Sequence, residues 1–338
     1  LGVIILLGHA VLGQGMLTLL AFPPFHVTAA VLPPLIIVAL VGQALGRVTR
    51  RRDMVLQLGS GAFLSTTLAL TLELLVILGL FVLAIAVVAA QPGGMERILD
   101  FATRLEDPTW LQDPDNLAPL IRSPFVLVPA FLVFAVLVPM IEEAVKTVGV
   151  GLMGYRRPTL AQAFLWGLAG GAGFALAEAL FNSLAGLDAW ASIISLRIGA
   201  TLLHCFTGAM MGLAWYAMLI ERRWGRALGR YAASVGIHSL WNTVAAAMAL
   251  STLGTSAAGS GDPGQWRADA GGTALLLLIL ILAAVAALGL AGLTWYVHAR
   301  SQADSVRERS QAGDGPGSEP GALSTEAAPS AGTQAEPP

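Results

Sequence analysis

Stretches of twenty or more apolar residues recur from one end of this 338-residue sequence to the other. A stretch of that length crosses a bilayer as a helix, and a soluble globule has no core large enough to bury so many of them. Hydropathy places eight such segments, at roughly 1–20, 27–46, 60–90, 124–154, 159–183, 192–220, 230–250 and 272–298. They are rich in Leu, Ala and Val and lack the ten-residue alternation of a transmembrane barrel. Each must therefore satisfy its own backbone as a helix. The composition agrees: 56% of residues are hydrophobic and 12% charged, against about 25% charged in a soluble domain, and mean hydropathy is +0.72. The expectation is an all-α polytopic membrane protein of about eight transmembrane helices, with residues 1–300 forming the bundle. The remaining 301–338, rich in Gly, Pro, Ser, Ala, Thr and Glu, read as a disordered tail.

The charges outside the apolar segments set an orientation. Arg47, Arg50, Arg51 and Arg52 follow the second segment, Arg156 and Arg157 the fourth, Arg222, Arg223, Arg226 and Arg230 the sixth, and Arg300, Arg307 and Arg309 the eighth. The intervening connections are acidic or neutral: 91–123 carries Glu96, Asp100, Glu106, Asp107, Asp113 and Asp115, and 251–270 carries Asp262 and Asp269. The positive-inside rule then makes the Arg-bearing ends cytoplasmic, with both termini on that side. The 91–123 connection, with Pro108, Trp110, Pro114 and Pro119, is expected to rest on the opposite membrane surface. Residues 1–20 lack a basic n-region and a small-residue exit, and are read as a span. A net charge of −2 without a basic block excludes a nucleic-acid partner, and a single cysteine, Cys205, excludes an internal disulfide.

The basic residues number 19, of which 18 are arginine. The one lysine, Lys146, lies inside an apolar segment. An ionisable group at that depth costs at least about 2.5–3.5 kcal/mol and needs a partner or a function. Glu142, Glu143 and Lys146 form E-E-x-x-K, in which the ammonium can reach either carboxylate along one helix. Adjacent side chains diverge by about 100°, so one glutamate is left to face elsewhere. Glu178 follows a stretch containing Gly167, Gly170, Gly171 and Gly173, a density suited to close helix packing. It sits nearer its segment's end than the glutamate pair, so a tilt, or a break at the glycines, is expected to bring them level. His238 and Asn242 share a face at i,i+4, and His204 is available from the preceding segment. A structural ion pair explains Lys146, and packing explains a lone membrane histidine. Neither explains three glutamates, two histidines and an asparagine on four successive segments. Cys205, adjacent to His204, faces away from it and is not read as a nucleophile. His9, His26 and His298 are assigned to segment ends without function. Glu73 is left between a tilt toward the cytoplasmic side and a contact with Lys146.

In order, E-E-x-x-K, F-x-x-x-E (Phe174, Glu178), an isolated His204 and H-x-x-W-N (His238, Trp241, Asn242) resemble the PrsW family of intramembrane proteases. That family is grouped with the CAAX prenyl endopeptidases, which carry His where this chain has Glu178. The resemblance covers about 124–250. It implies hydrolysis of peptide bonds in a membrane-anchored protein, the namesake case being an anti-sigma factor.

Two mechanisms follow from these residues. In one, Glu142 or Glu143 is a general base on water while His204, His238 and Asn242 stabilise the oxyanion, with no cofactor. In the other, His204, His238 and Glu143 bind zinc and leave a position open for water. Lys146 and Glu178 are supporting residues in both. A proton-coupled transporter and a non-catalytic membrane scaffold are the competing classes. The first predicts inverted repeats, and the sequence carries no convincing one.

Overall fold

A computed structural model describes residues 1–46, 48–112, 116, 119, 123–184, 187–256 and 265–313. Arg47, Asp113, Pro114, Asp115 and Asp262 of the connections lie outside the described residues, as does the tail from residue 314. Ten principal helices occur among the described residues: α1 (Gly2–Val11), α2 (Met16–Leu45), α3 (Arg51–Ala89), α4 (Gly94–Leu105), α5 (Pro108–Gln112), α6 (Pro124–Leu152), α7 (Leu160–Asn182), α8 (Trp190–Leu219), α9 (Trp224–Ser256) and α10 (Gln265–Gly313). No strand occurs among these residues.

Six of these helices, α2, α3, α6, α7, α8 and α10, are long and apolar enough to cross a membrane, in place of the eight expected. Two segments account for the difference. The first breaks where Gly13 and Gly15 adopt positive φ, leaving a ten-residue α1 and passing the remainder to α2. At 1.5 Å per residue, α1 is about half as long as a bilayer crossing requires. The seventh is a full-length helix, α9, but Ser234, His238 and Asn242 dilute its apolar character. At the C-terminus the helix continues through Gly313, beyond the start of the expected tail at 301. Residues 1–298 make up one unit, and a second begins at Ala299.

The centre of the first unit is α7, buried on almost every face between Ala161 and Ala179. Its start is fixed by a capping box: Gln162 N–H donates to Thr159 Oγ1 at 3.3 Å, and Thr159 N–H to Gln162 Oε1 at 3.0 Å. The principal packing is against α8. Gly167 and Gly171 on α7 face Gly208 and Gly212 on α8, two interlocked small-xxx-small pairs. A Cβ added at Gly171 would run into the His204 carbonyl oxygen, and one at Gly208 would lie 2.8 Å from Gly171 Cα. The glycines therefore bring two backbones together without breaking α7, contrary to the break considered from the sequence.

Irregular backbone occurs in α3 and α6 instead. Each contains a π-helical segment, Ser60–Ser65 and Val133–Leu137, and α6 is interrupted again at Lys146–Thr147. Carbonyls in and beside these irregular stretches find side-chain donors, as a lipid environment requires. Asn242 Nδ2 donates to Phe134 O (3.0 Å), Ser65 Oγ to Lys146 O (3.2 Å), Gln57 Nε2 to Gly149 O (3.1 Å) and Tyr231 OH to Met140 O (2.9 Å). Large apolar side chains such as Phe63, Phe125 and Leu288 are exposed, as lipid-facing residues are.

Two groups lie in the connections. Asp107 caps α5 by accepting from the backbone N–H and hydroxyl of Thr109 at 2.9 and 2.7 Å, which lowers its pKa. Arg156 is held above its usual range by Tyr155 and by Asp53, whose Oδ1 is 2.7 Å away.

Candidate active site

The helical interruption at Lys146–Thr147 falls where the E-E-x-x-K motif ends, and the α7–α8 seam brings His204 to Lys146. Lys146 is completely buried. Its ammonium donates to Glu143 Oε1 at 2.6 Å, to His204 Nδ1 at 2.8 Å and to Thr207 Oγ1 at 3.3 Å. The ion pair is thus the i,i+3 one, and Glu142 is the glutamate that faces elsewhere. Oε2 of Glu142 is buried without a hydrogen-bond partner and lies 3.6 Å from His238 Nε2. On α9, His238 Nδ1 donates to Glu143 Oε1 at 2.9 Å. This fixes the tautomer and leaves Nε2 as the free nitrogen. His204 Nε2 lies 2.8 Å from Glu178 Oε2, across the seam, and the two imidazoles meet edge to face with centroids 4.9 Å apart. Six of the predicted residues, Glu142, Glu143, Lys146, Glu178, His204 and His238, therefore form one connected cluster.

A cavity of about 280 Å³ opens beside it, lined among others by Glu142, Glu178 and Asn242. Asn242 reaches this cavity while its amide supports the Phe134 carbonyl, so one of its two N–H groups is already committed. Glu143 is fully buried and is not among the lining residues. Glu73 also lines the cavity, facing Glu142 and Glu178 rather than Lys146. Cys205 packs in the apolar core.

Two groups escaped sequence reading, and a third, His26, was misplaced. Arg197, inside the sixth apolar segment, places Nη2 2.6 Å from Glu178 Oε2 and lines the cavity. As a charge at membrane depth it carried the same signal as Lys146. Asn182, also at the cavity, donates to Glu178 Oε1 at 3.1 Å, an i,i+4 pair visible in the sequence. His26 lies within α2 and not at a segment end. Trp190 Nε1 donates to its Nδ1, and its Nε2 donates to Leu180 O, both at 3.0 Å, tying α2 to α7 and α8.

The cluster can hold a metal. One donor atom each from Glu142, His204 and His238 lie within 4.8 Å of one another, and all three residues are buried. That is a His₂Glu set of the kind catalytic zinc uses, with Glu142 where the sequence reading had Glu143. The unpartnered Glu142 Oε2 and the free His238 Nε2 suit it, and Glu143 behind His238 supplies the carboxylate that orients a ligating imidazole. His204 fits less readily, since both its nitrogens already face partners.

Fold and site together define a polytopic, all-helical membrane protein with a buried acid–imidazole centre. Comparison with known families makes this specific. The sequence model of the PrsW family of intramembrane metalloproteases matches residues 49–260, more than half of the chain, and the chain belongs to that family. It is thus an integral multi-pass membrane peptidase. Searches of curated proteins and of solved structures found no match.

Proposed function

We propose that this protein cleaves single-span membrane proteins within the bilayer, with Glu142, His204 and His238 at the reacting centre. The observation that carries the reading is the cavity wall. Glu142 and Glu178 both line the cavity, but Glu178 Oε2 is held by Arg197 and His204 at 2.6 and 2.8 Å, whereas the imidazole neighbour of Glu142 Oε2, His238 Nε2, stands off at 3.6 Å, so Glu142 is the group that meets water. Glu142, His204 and His238 are the residues that would hold zinc; bound there, the ion supplies Lewis-acid polarisation of a carbonyl and a more acidic water. Glu143 holds His238 Nδ1–H and the Lys146 ammonium, and so keeps the His238 Nε2 lone pair directed at Glu142. Lys146 neutralises Glu143 and fixes His204. Glu178 receives His204 Nε2, and the second N–H of Asn242 is the donor for an oxyanion at the cavity. The engagement of both His204 nitrogens favours a second, metal-free version in which Glu142 is the general base.

The Arg-bearing ends are read as cytoplasmic, which gives an inward-facing C-terminus. The test is reconstitution in proteoliposomes with a panel of fluorescent single-span reporters, an anti-sigma factor segment among them. Cleavage by the wild type and its loss in Glu142→Gln and His238→Ala is the expected result. Identical fragment patterns in all three refute the proteolytic assignment. Loss on chelation and recovery with zinc selects the metal version, while chelator-resistant cleavage selects the other.

A further inference from the structure

The cavity has a second wall that the chemistry above does not use. It is built from α3 (Thr66, Ala69, Leu70, Glu73) and from Arg197 on α8. Apart from Arg197 Nη2, which is ion-paired with Glu178, two of its polar atoms are buried without hydrogen-bond partners: Oε1 of Glu73 and Nε of Arg197. Such an atom costs about 1–3 kcal/mol unless a group entering the cavity meets it. Unpartnered atoms on one wall, facing Glu142 on the other, indicate what the space is shaped to receive. The occupant must offer an acceptor to a guanidinium N–H and a donor to a carboxylate oxygen.

A peptide main chain offers both, but only after its own helix has opened, because an intact helix pairs its N–H and C=O groups internally. We propose that Glu73 and Arg197 bind the main chain of an unwound substrate segment, Arg197 Nε–H donating to a peptide carbonyl and Glu73 Oε1 accepting from a peptide N–H. This rests on the proteolytic reading of the adjoining cluster and adds to it the residues that recognise the substrate. The way in is consistent with it. Beyond its π-helical segment, α3 exposes nearly every side chain from Leu70 to Ala86, and α6 is likewise largely exposed before Phe134. A transmembrane helix therefore meets an apolar surface on α3 and α6, two of the helices that line the cavity.

The pairing of Arg197 with Glu178 gives it a further role through His204, so Glu73, which faces Glu142 and Glu178 but makes no hydrogen bond or ion pair with them, is the cleaner probe. The experiment measures binding in nanodiscs by energy transfer between the full-length chain and two designed peptides. One is a continuous Leu/Ala transmembrane helix, and the other is the same helix interrupted by a central Gly-Gly. Binding needs no cleavage, so its outcome is independent of whether the reporters are hydrolysed. The interrupted peptide is expected to bind the wild type more tightly. Glu73→Leu and Arg197→Lys are each expected to weaken that peptide by about 5–10-fold, the loss of one hydrogen bond, while Glu73→Gln, which keeps an acceptor, stays close to wild type. Equal binding of the two peptides, or an unchanged affinity in both Glu73→Leu and Arg197→Lys, overturns the proposal. Where a reporter is cleaved, Glu73→Leu raises KM and leaves kcat near wild type; a fall in kcat alone counts against it.

Discussion

Replacing Gly208 with alanine tests whether the α7–α8 seam sets the geometry of the site. The new Cβ would lie 2.7 Å from Gly167 O and 2.8 Å from Gly171 Cα, against an ordinary separation of at least 3.4 Å. Both obstacles are backbone, so no rotamer change relieves them, and the helices must part by roughly 0.6 Å, a misfit of the overpacking kind that costs about 1–3 kcal/mol. His204 lies one turn before Gly208, and its Nε2 contact with Glu178 spans the same seam at 2.8 Å. Opening the seam takes that contact to the limit of a hydrogen bond. Since a misplacement of about 1 Å can cost on the order of 100-fold in rate, the expected loss of activity is on the order of 10-fold. The assay is reporter cleavage in proteoliposomes, with thermal unfolding in detergent alongside. Gly236→Ala on α9 is the control, because a Cβ there meets nothing within 4 Å. If Gly208→Ala cleaves at the wild-type rate and unfolds at the wild-type temperature, the seam does not hold the site as argued.

The two adjacent glutamates should separate by phenotype. Glu142→Gln, losing an unpartnered carboxylate, is expected to lower activity by about 100-fold or more with little change in thermal stability. Glu143→Gln strands a buried ammonium and is expected to destabilise the protein by about 3–5 kcal/mol, measured by unfolding in detergent. Adding Lys146→Met to Glu143→Gln should recover part of that stability and none of the activity, a coupling that a double-mutant cycle reads directly. His26→Phe leaves the Trp190 indole N–H and the Leu180 carbonyl without their partner and should cost about 1–3 kcal/mol, again by unfolding. At the other end of the pH scale, the Asp107 cap of α5 should persist below the usual carboxylate range. Its pKa is depressed by Thr109, so the stabilisation is present above the unfolded-state value and is lost only as pH falls through the folded one. Trp110 fluorescence in a variant lacking the other tryptophans reports the transition, and a change centred at the ordinary aspartate pKa counts against the cap.

What the sequence could and could not disclose divides along a physical line. Lys146, His204 and His238 were readable because an ionisable group in lipid is costly whatever surrounds it, so its presence alone is informative. Arg197 carried the same information and was obscured by being one of eighteen arginines, most of which sit at segment ends. Which glutamate pairs with Lys146 was not readable, since i,i+3 and i,i+4 are both within reach on a regular helix. The choice is made by the interruption at Lys146–Thr147, which is stabilised by donors far away in sequence. Ser65 bonds the Lys146 carbonyl, Gln57 the Gly149 carbonyl, and Trp215 the Thr147 hydroxyl. The same reasoning applies to Gly167 and Gly171, for which the sequence suited close packing and left a tilt or a break as ways to level the site. Glycine in a membrane helix serves either to bend one backbone or to admit another, and only the partner helix decides between them. Here Gly208 and Gly212 on α8 make it the second, and by admitting α8 they carry His204 to Glu178 without any distortion of α7. The flexibility needed to level the site was taken up by α6 and α3. Their π-helical turns flank the cavity, and the donor to the Phe134 carbonyl within the α6 turn, Asn242, comes from the site's own H-x-x-W-N motif.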